Sequence, residues 1–164
     1  MHNNRTVRND SLLEKEIHLP PVTQEQLIQY AGASTDFNPI HTIEKRAQEF
    51  GLPGVIAHGM LTMAFMGKAF SPFVEKGAFL QDFHSRFKAK VFEGDSITIW
   101  TEQTLDPGSK KDETLFHFKI SAVNQHGKEV AEGSASLNLS CVKDKELISF
   151  FIEQEDILCQ TEKK

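Results

Sequence analysis

The segment from His58 to Val74 limits the fold more than any other part of the chain. Met60, Leu61, Met63, Ala64, Phe65, Met66, Ala69, Phe70 and Phe73 fall on every side of a helix, and no Asp or Glu interrupts them. A helix that is apolar all round is a buried one, so the rest of the chain has to cover it. The period then changes. Phe79, Phe83, Phe87, Ala89 and Val91 share one parity, as on a long strand with one packed face. Glu93-Gly94-Asp95 turns the chain, and Ser96 to Leu105, Leu115 to Asn124 and Glu129 to Cys141 read as three further strands. Gln125-His126-Gly127 is the hairpin signal between the last two. On the final strand Ala131, Gly133, Ala135, Leu137 and Leu139 share a face, whose small members leave room for the buried helix.

The part before that helix is shorter-ranged. Glu14 to Leu19 reads as a short strand stopped by Pro20 and Pro21, which cannot continue a ladder or a helix. Thr23 and Gln26 form a capping-box pair at the start of a helix with Leu27, Ile28, Tyr30 and Ala31 on its apolar side. That helix is expected to end near Gly32 to Ser34, and a second, after Thr42, at Gly51. Residues 1–12 form a polar tail, 13–142 the folded domain and 143–164 a charged, partly amphipathic extension. Short helices, one buried helix and then an antiparallel meander give an α+β class. An antiparallel sheet wrapped around a long central helix is the arrangement of the hot-dog fold.

Composition narrows the function. The formal net charge is −5, which argues against a nucleic-acid partner, because phosphate binding needs a dense positive face. Small clusters such as Lys88 with Lys90 and Lys110 with Lys111 suit a few phosphates on a cofactor-sized ligand. Thirteen Phe stand against one Trp and one Tyr. Phenyl rings need no polar partner, so they suit either a dry core or a channel for an apolar chain. Cys141 and Cys159 lie too far apart for metal-like spacing. No segment reaches the roughly 20 apolar residues of a membrane helix, and Met1 to Asp10 lacks the apolar stretch of a signal peptide. A cytoplasmic protein with no membrane partner is expected.

The chemistry concentrates in Asp36-Phe37-Asn38-Pro39-Ile40-His41 and Ile56-Ala57-His58-Gly59-Met60. Asp36 and His41 sit in an irregular loop fixed by a proline, since the residue before Pro is pushed out of the α region. A carboxylate and an imidazole sharing one water can take a proton from it and return one elsewhere. Gly59, where the buried helix begins, offers a backbone N–H and the positive end of a helix dipole to a carbonyl oxygen gaining charge. Each residue also has a structural use. Asp36 can form a turn with its own backbone, His41 can be a packed core residue, and Gly59 can serve close packing.

The run Tyr30-Ala31-Gly32-Ala33-Ser34-Thr35-Asp36-Phe37-Asn38-Pro39-Ile40-His41, then Ala47, then Gly54-Val55-Ile56-Ala57-His58-Gly59-Met60-Leu61, resembles the hydratase motif of MaoC-like proteins. That family includes R-specific enoyl-CoA hydratases and the 3-hydroxyacyl-thioester dehydratases of fatty-acid elongation. The resemblance extends loosely over roughly residues 15 to 141. It implies that Asp36 and His41 activate a water, that the Gly59 N–H binds the thioester carbonyl, and that Asn38 holds the loop in shape. His58 and Met60, which flank Gly59, join Gly59 and Asn38 in the oxyanion and substrate-binding set, His58 being by the resemblance a structural residue just before the oxyanion glycine. Gly67 stands where some relatives carry a Ser, so a hydroxyl contact is missing. The resemblance implies no metal and no cofactor, although Asp36, His41 and His58 together form a metal-like donor set. It implies an acyl thioester of coenzyme A or acyl carrier protein as substrate.

Two other functions remain open on the residues. A hot-dog thioesterase needs a carboxylate on or beside the central helix, and 58–74 contains none. A non-catalytic, partner-dependent acyl-thioester-binding subunit is the second, and the presence of both Asp36 and His41 favours an active role over it. A single sheet leaves an open edge, so a homodimer, or a heteromer with a second hot-dog subunit, is expected.

Overall fold

The computed structural model describes residues 14–105 and 114–161. The expected polar tail 1–12 and the loop tip at 106–112 lie outside these residues. Five strands, β1 (Glu14–His18), β2 (Phe79–Phe87), β3 (Ile97–Thr104), β4 (Leu115–Asn124) and β5 (Glu129–Asn138), form one sheet in the order β1-β3-β4-β5-β2. Every pairing is antiparallel. β3, β4 and β5 are the expected meander, while β1 and β2 close its two sides as edge strands.

Helix α1 (Gln24–Ser34) starts on the capping box read from the sequence, with Thr23 and Gln26 satisfying each other's backbone N–H. It ends at Thr35, whose φ of 58° lies in the left-handed region. Helix α2 (Glu44–Glu49) is short and runs out before Gly51, where φ is +76°. The central run is helical but segmented: α3 (Gly59–Gly67), a 3-10 turn (Lys68–Phe70) and α4 (Ser71–Val74). Pro72 accounts for the break. It has no N–H to donate, and its ring collides with the carbonyl four residues back, at Lys68.

Two pattern-based expectations need correction. The strand β2 does not present Phe79, Phe83 and Phe87 as one packed stripe. Its pairing with β5 slips between Leu80 and Asp82, an irregularity that reverses the parity of what precedes it. Leu80 and Phe83 therefore pack on the core, while Phe79 is 66% exposed. Gly133, in turn, does not make room for the helix. A Cβ there would stand 2.0 Å from the His84 carbonyl oxygen of the neighbouring strand, so the glycine serves the close approach of β2 to β5.

The core lies between the sheet and the central run. Ile97, Ile99, Phe116, Phe118, Ile120, Ala135 and Leu137 face Leu61, Met66, Ala69, Phe70 and Phe73 in one continuous cluster. Helix α5 (Lys145–Thr161) joins it through Phe151, with Leu147, Ile148 and Ile152 packed alongside. Phe151 is fully buried, with ring contacts to Phe73, Phe116 and Phe118 at centroid distances of 5.3, 5.0 and 6.1 Å. The Gln103 amide of β3 donates to the Phe151 carbonyl at 3.4 Å.

Candidate active site

The loop after α1 is built from local hydrogen bonds. Thr35 turns the chain through a backbone conformation that is an outlier for a β-branched residue, and Asp36 follows directly. The Asp36 N–H donates to Ser34 Oγ, and the Asn38 N–H donates to Asp36 Oδ1 at 3.2 Å. Asn38 Oδ1 then accepts the Ile40 N–H at 3.3 Å and caps the 3-10 helix Pro39–His41. Asp36 is thus a turn former through one carboxylate oxygen. The other stays available, on a side chain 55% exposed.

A second, extended segment runs alongside. The Ile56 N–H donates to the Ile40 carbonyl at 3.2 Å and the Ala57 N–H to the Val91 carbonyl at 2.8 Å, while Ile56 also bridges to Phe92. This clips residues 55–58 between the Asp36 loop and the link from β2 to β3, and it sets where α3 begins.

The two segments meet through imidazoles. The ring of His41, largely buried, hydrogen-bonds through Nδ1 to the Ile56 carbonyl at 2.7 Å. A carbonyl only accepts, so Nδ1 carries the hydrogen and Nε2 keeps the lone pair in the neutral ring. His58 stacks on His41 with centroids 3.7 Å apart and ring planes 23° apart. By the same logic His58 Nε2 carries a hydrogen, which it donates to the Asp36 carbonyl at 3.0 Å. Asp36 Oδ2 lies 3.9 Å from the same nitrogen. Tyr30 of α1 packs against His58 at 5.1 Å.

Of the residues singled out from sequence, Asp36, His41 and His58 converge: each offers a donor atom within 4.8 Å of the others. These three could hold a metal ion. To do so, His58 Nε2 would have to leave the Asp36 carbonyl, because His58 Nδ1 is buried with no hydrogen-bond partner among the described residues. Gly59 opens α3 immediately after the stack and is exposed, so its N–H belongs to the unpaired first turn of a helix. Met60, 56% exposed, shares that helix end. Asn38 faces its own loop rather than the converging groups.

Sequence reasoning missed Phe87. A Cβ on Gly59 would lie 2.9 Å from the Phe87 ring, so β2 reaches the start of α3 and only glycine fits there without moving the ring. The stripe Phe83, Phe87 was the available signal, but nothing in it named the helix end as the contact.

Known proteins resemble this chain in sequence and fold. A family model described as MaoC like domain matches residues 6–115. An (R)-specific enoyl-CoA hydratase of Rhodospirillum rubrum is 30% identical over 117 residues, covering 71% of this chain and 78% of that enzyme. A 3-hydroxyacyl-thioester dehydratase X of Mycobacterium tuberculosis is 44% identical over 57 residues, 31% of this chain. The match spans only 20% of that longer protein. Among solved structures, R-hydratase PhaJ1 from Pseudomonas aeruginosa superposes with a TM-score of 0.67 at 25% identity, covering 76% of this chain and 78% of that one. The hot-dog expectation therefore holds in the fold, and with the sequence match across most of the domain it settles the lineage: this chain belongs to the MaoC-like domain family.

Proposed function

We propose that this protein reversibly hydrates trans-2-enoyl thioesters to (R)-3-hydroxyacyl thioesters, with Asp36 and His41 handling the water. The observation that carries this reading is the directed lone pair of His41. Its Nδ1 is occupied by the Ile56 carbonyl, which leaves Nε2 as the basic nitrogen of a ring that has a donor atom within 4.8 Å of one from Asp36. Together they can draw a proton from a water as its oxygen bonds to C3, and supply a proton to C2. The electron pair passes meanwhile to the thioester carbonyl oxygen, where the Gly59 N–H and the α3 dipole stabilise it. Dehydration is the same path reversed.

The substrate in this reading is an acyl thioester of coenzyme A or carrier protein, and no metal or cofactor is needed. The working unit is a homodimer or a heteromer with a second hot-dog subunit. An open β2 edge flanked by exposed Phe79 and Phe87 supports such pairing. Among the described residues no helix is long and apolar enough to cross a membrane, and a cytoplasmic location is part of the proposal.

The test is crotonyl-CoA mixed with purified protein while enone absorbance and free thiol are followed together. Absorbance loss without thiol supports the hydratase. Thiol release would replace it with a thioesterase. No change with crotonyl-CoA, longer enoyl-CoA esters or carrier-protein esters would leave a binding or partner-dependent role.

A further inference from the structure

We propose that His58 is a positioning residue that holds the Asp36 loop and the His41 ring in one fixed relation; this rests on the reading of that pair given above. His58 is 3% exposed, so it is poorly placed to touch a substrate. What it touches is both halves of the pair. Its ring face lies on His41 at 3.7 Å, and its Nε2–H reaches the Asp36 carbonyl at 3.0 Å.

The loop needs such a tether. Residues 34–38 are all exposed, and the bonds within them are between near neighbours in sequence. Among the described hydrogen bonds, the one from His58 is the one that ties Asp36 to a residue outside its own loop. His41, by contrast, is already anchored to Ile56. Without the His58 N–H, the carboxylate would move relative to an imidazole that stays in place. A displacement of about 1 Å between reacting groups costs on the order of 100-fold in rate. The bond also fixes the ring's tautomer, which leaves Nδ1 buried without a described partner. The N–H on the other side makes the hydrogen bond that this ring has among the described residues.

The variants separate these uses. His58→Phe keeps a ring against His41 and removes the N–H. His58→Gln removes the ring and can return an amide N–H towards Asp36. With enoyl-CoA as substrate, His58→Phe should lower kcat about 100-fold with KM changed little, and His58→Gln should recover most of that loss. Retained kcat in His58→Phe, or a raised KM with kcat intact, would overturn the proposal, the latter by making His58 a substrate contact. Hydrogen exchange at the Asn38 and Ile40 amides gives a readout independent of turnover. Faster exchange in His58→Phe than in His58→Gln supports the tether even if the wild-type protein hydrates nothing, in which case only the chemistry assigned to the pair falls. Equal exchange in both variants and the wild type sinks the tether itself. The ring 15N shifts of wild-type His58 need no substitution: a protonated Nε2 with bare Nδ1 supports the assignment, and the reverse contradicts it.

Discussion

The two ends of the central helical run are built on opposite principles. At the Gly59 end, an exposed loop, two stacked imidazoles and a clipped extended segment are located by a few directional hydrogen bonds. At the Phe70 end, Phe70, Phe73, Phe116, Phe118 and Phe151 interlock ring on ring. Position at the first end is set by angles and protons, and at the second by volume. Damage should therefore appear as lost chemistry at one end and lost stability at the other.

The sharpest way to break this contrast is at Asp36. Asp36→Asn keeps an oxygen to accept the Asn38 N–H, so the turn survives while the ionised carboxylate is removed. Turnover should fall by about 10²- to 10⁴-fold, with the melting temperature nearly unchanged. A large drop in melting temperature, or full activity, would show the residue to be a turn former and nothing more. His41→Ala should cost as much in rate but also some stability, because the ring is buried and the Ile56 carbonyl loses its donor.

The complementary substitution is Phe151→Ala, which empties a phenyl-sized space in the aromatic end. Denaturant titration should show a loss of about 3–5 kcal/mol, while KM for the enoyl thioester stays put in the folded fraction. A changed KM with little lost stability would mean that the rings serve the substrate, and the contrast would have to be redrawn.

The smallest effect sharpens the picture at the start of α5. The Leu147 N–H, donated to Asp144 Oδ1 at 3.2 Å, holds the Asp144 carboxyl below its usual range, with help from the Lys76 ammonium and against partial desolvation. A carboxyl depressed in the folded state adds stability above its unfolded value, 3.8 here, and loses it as pH falls through the folded value. Asp144→Ala should thus melt slightly lower than wild type at neutral pH, and the two curves should converge below about pH 4. A gap that persists in acid would assign the effect to helix propensity instead.

Much of this was legible in the residues because it is local. Thr23 and Gln26 announce a helix start through bonds three residues apart, and β3, β4 and the turn at Gly127 follow from alternation and one glycine. The site was legible as a motif, through Asp36, His41 and Gly59, but not as geometry. The His41–His58 stack and the tautomers depend on where 55–58 lies against 38–41, a tertiary fact. The slip in β2 hid because parity counting assumes an unbroken register. The break in the central run had a visible cause in Pro72 that apolar counting does not weigh. The docking of α5 escaped because a charged amphipathic segment has no stated partner until a gap among Phe73, Phe116 and Phe118 exists to receive Phe151.

That docking also gives the fold an order in time. The rings of Phe116 and Phe118 leave the ribosome well before the one that covers them. At about 5–20 residues per second, Phe151 follows Phe118 by about two to seven seconds. Over that interval Phe70 can already lie against Phe118, but the side of Phe116 and Phe73 that receives Phe151 stays open. Docking of α5 is then the step that closes that side.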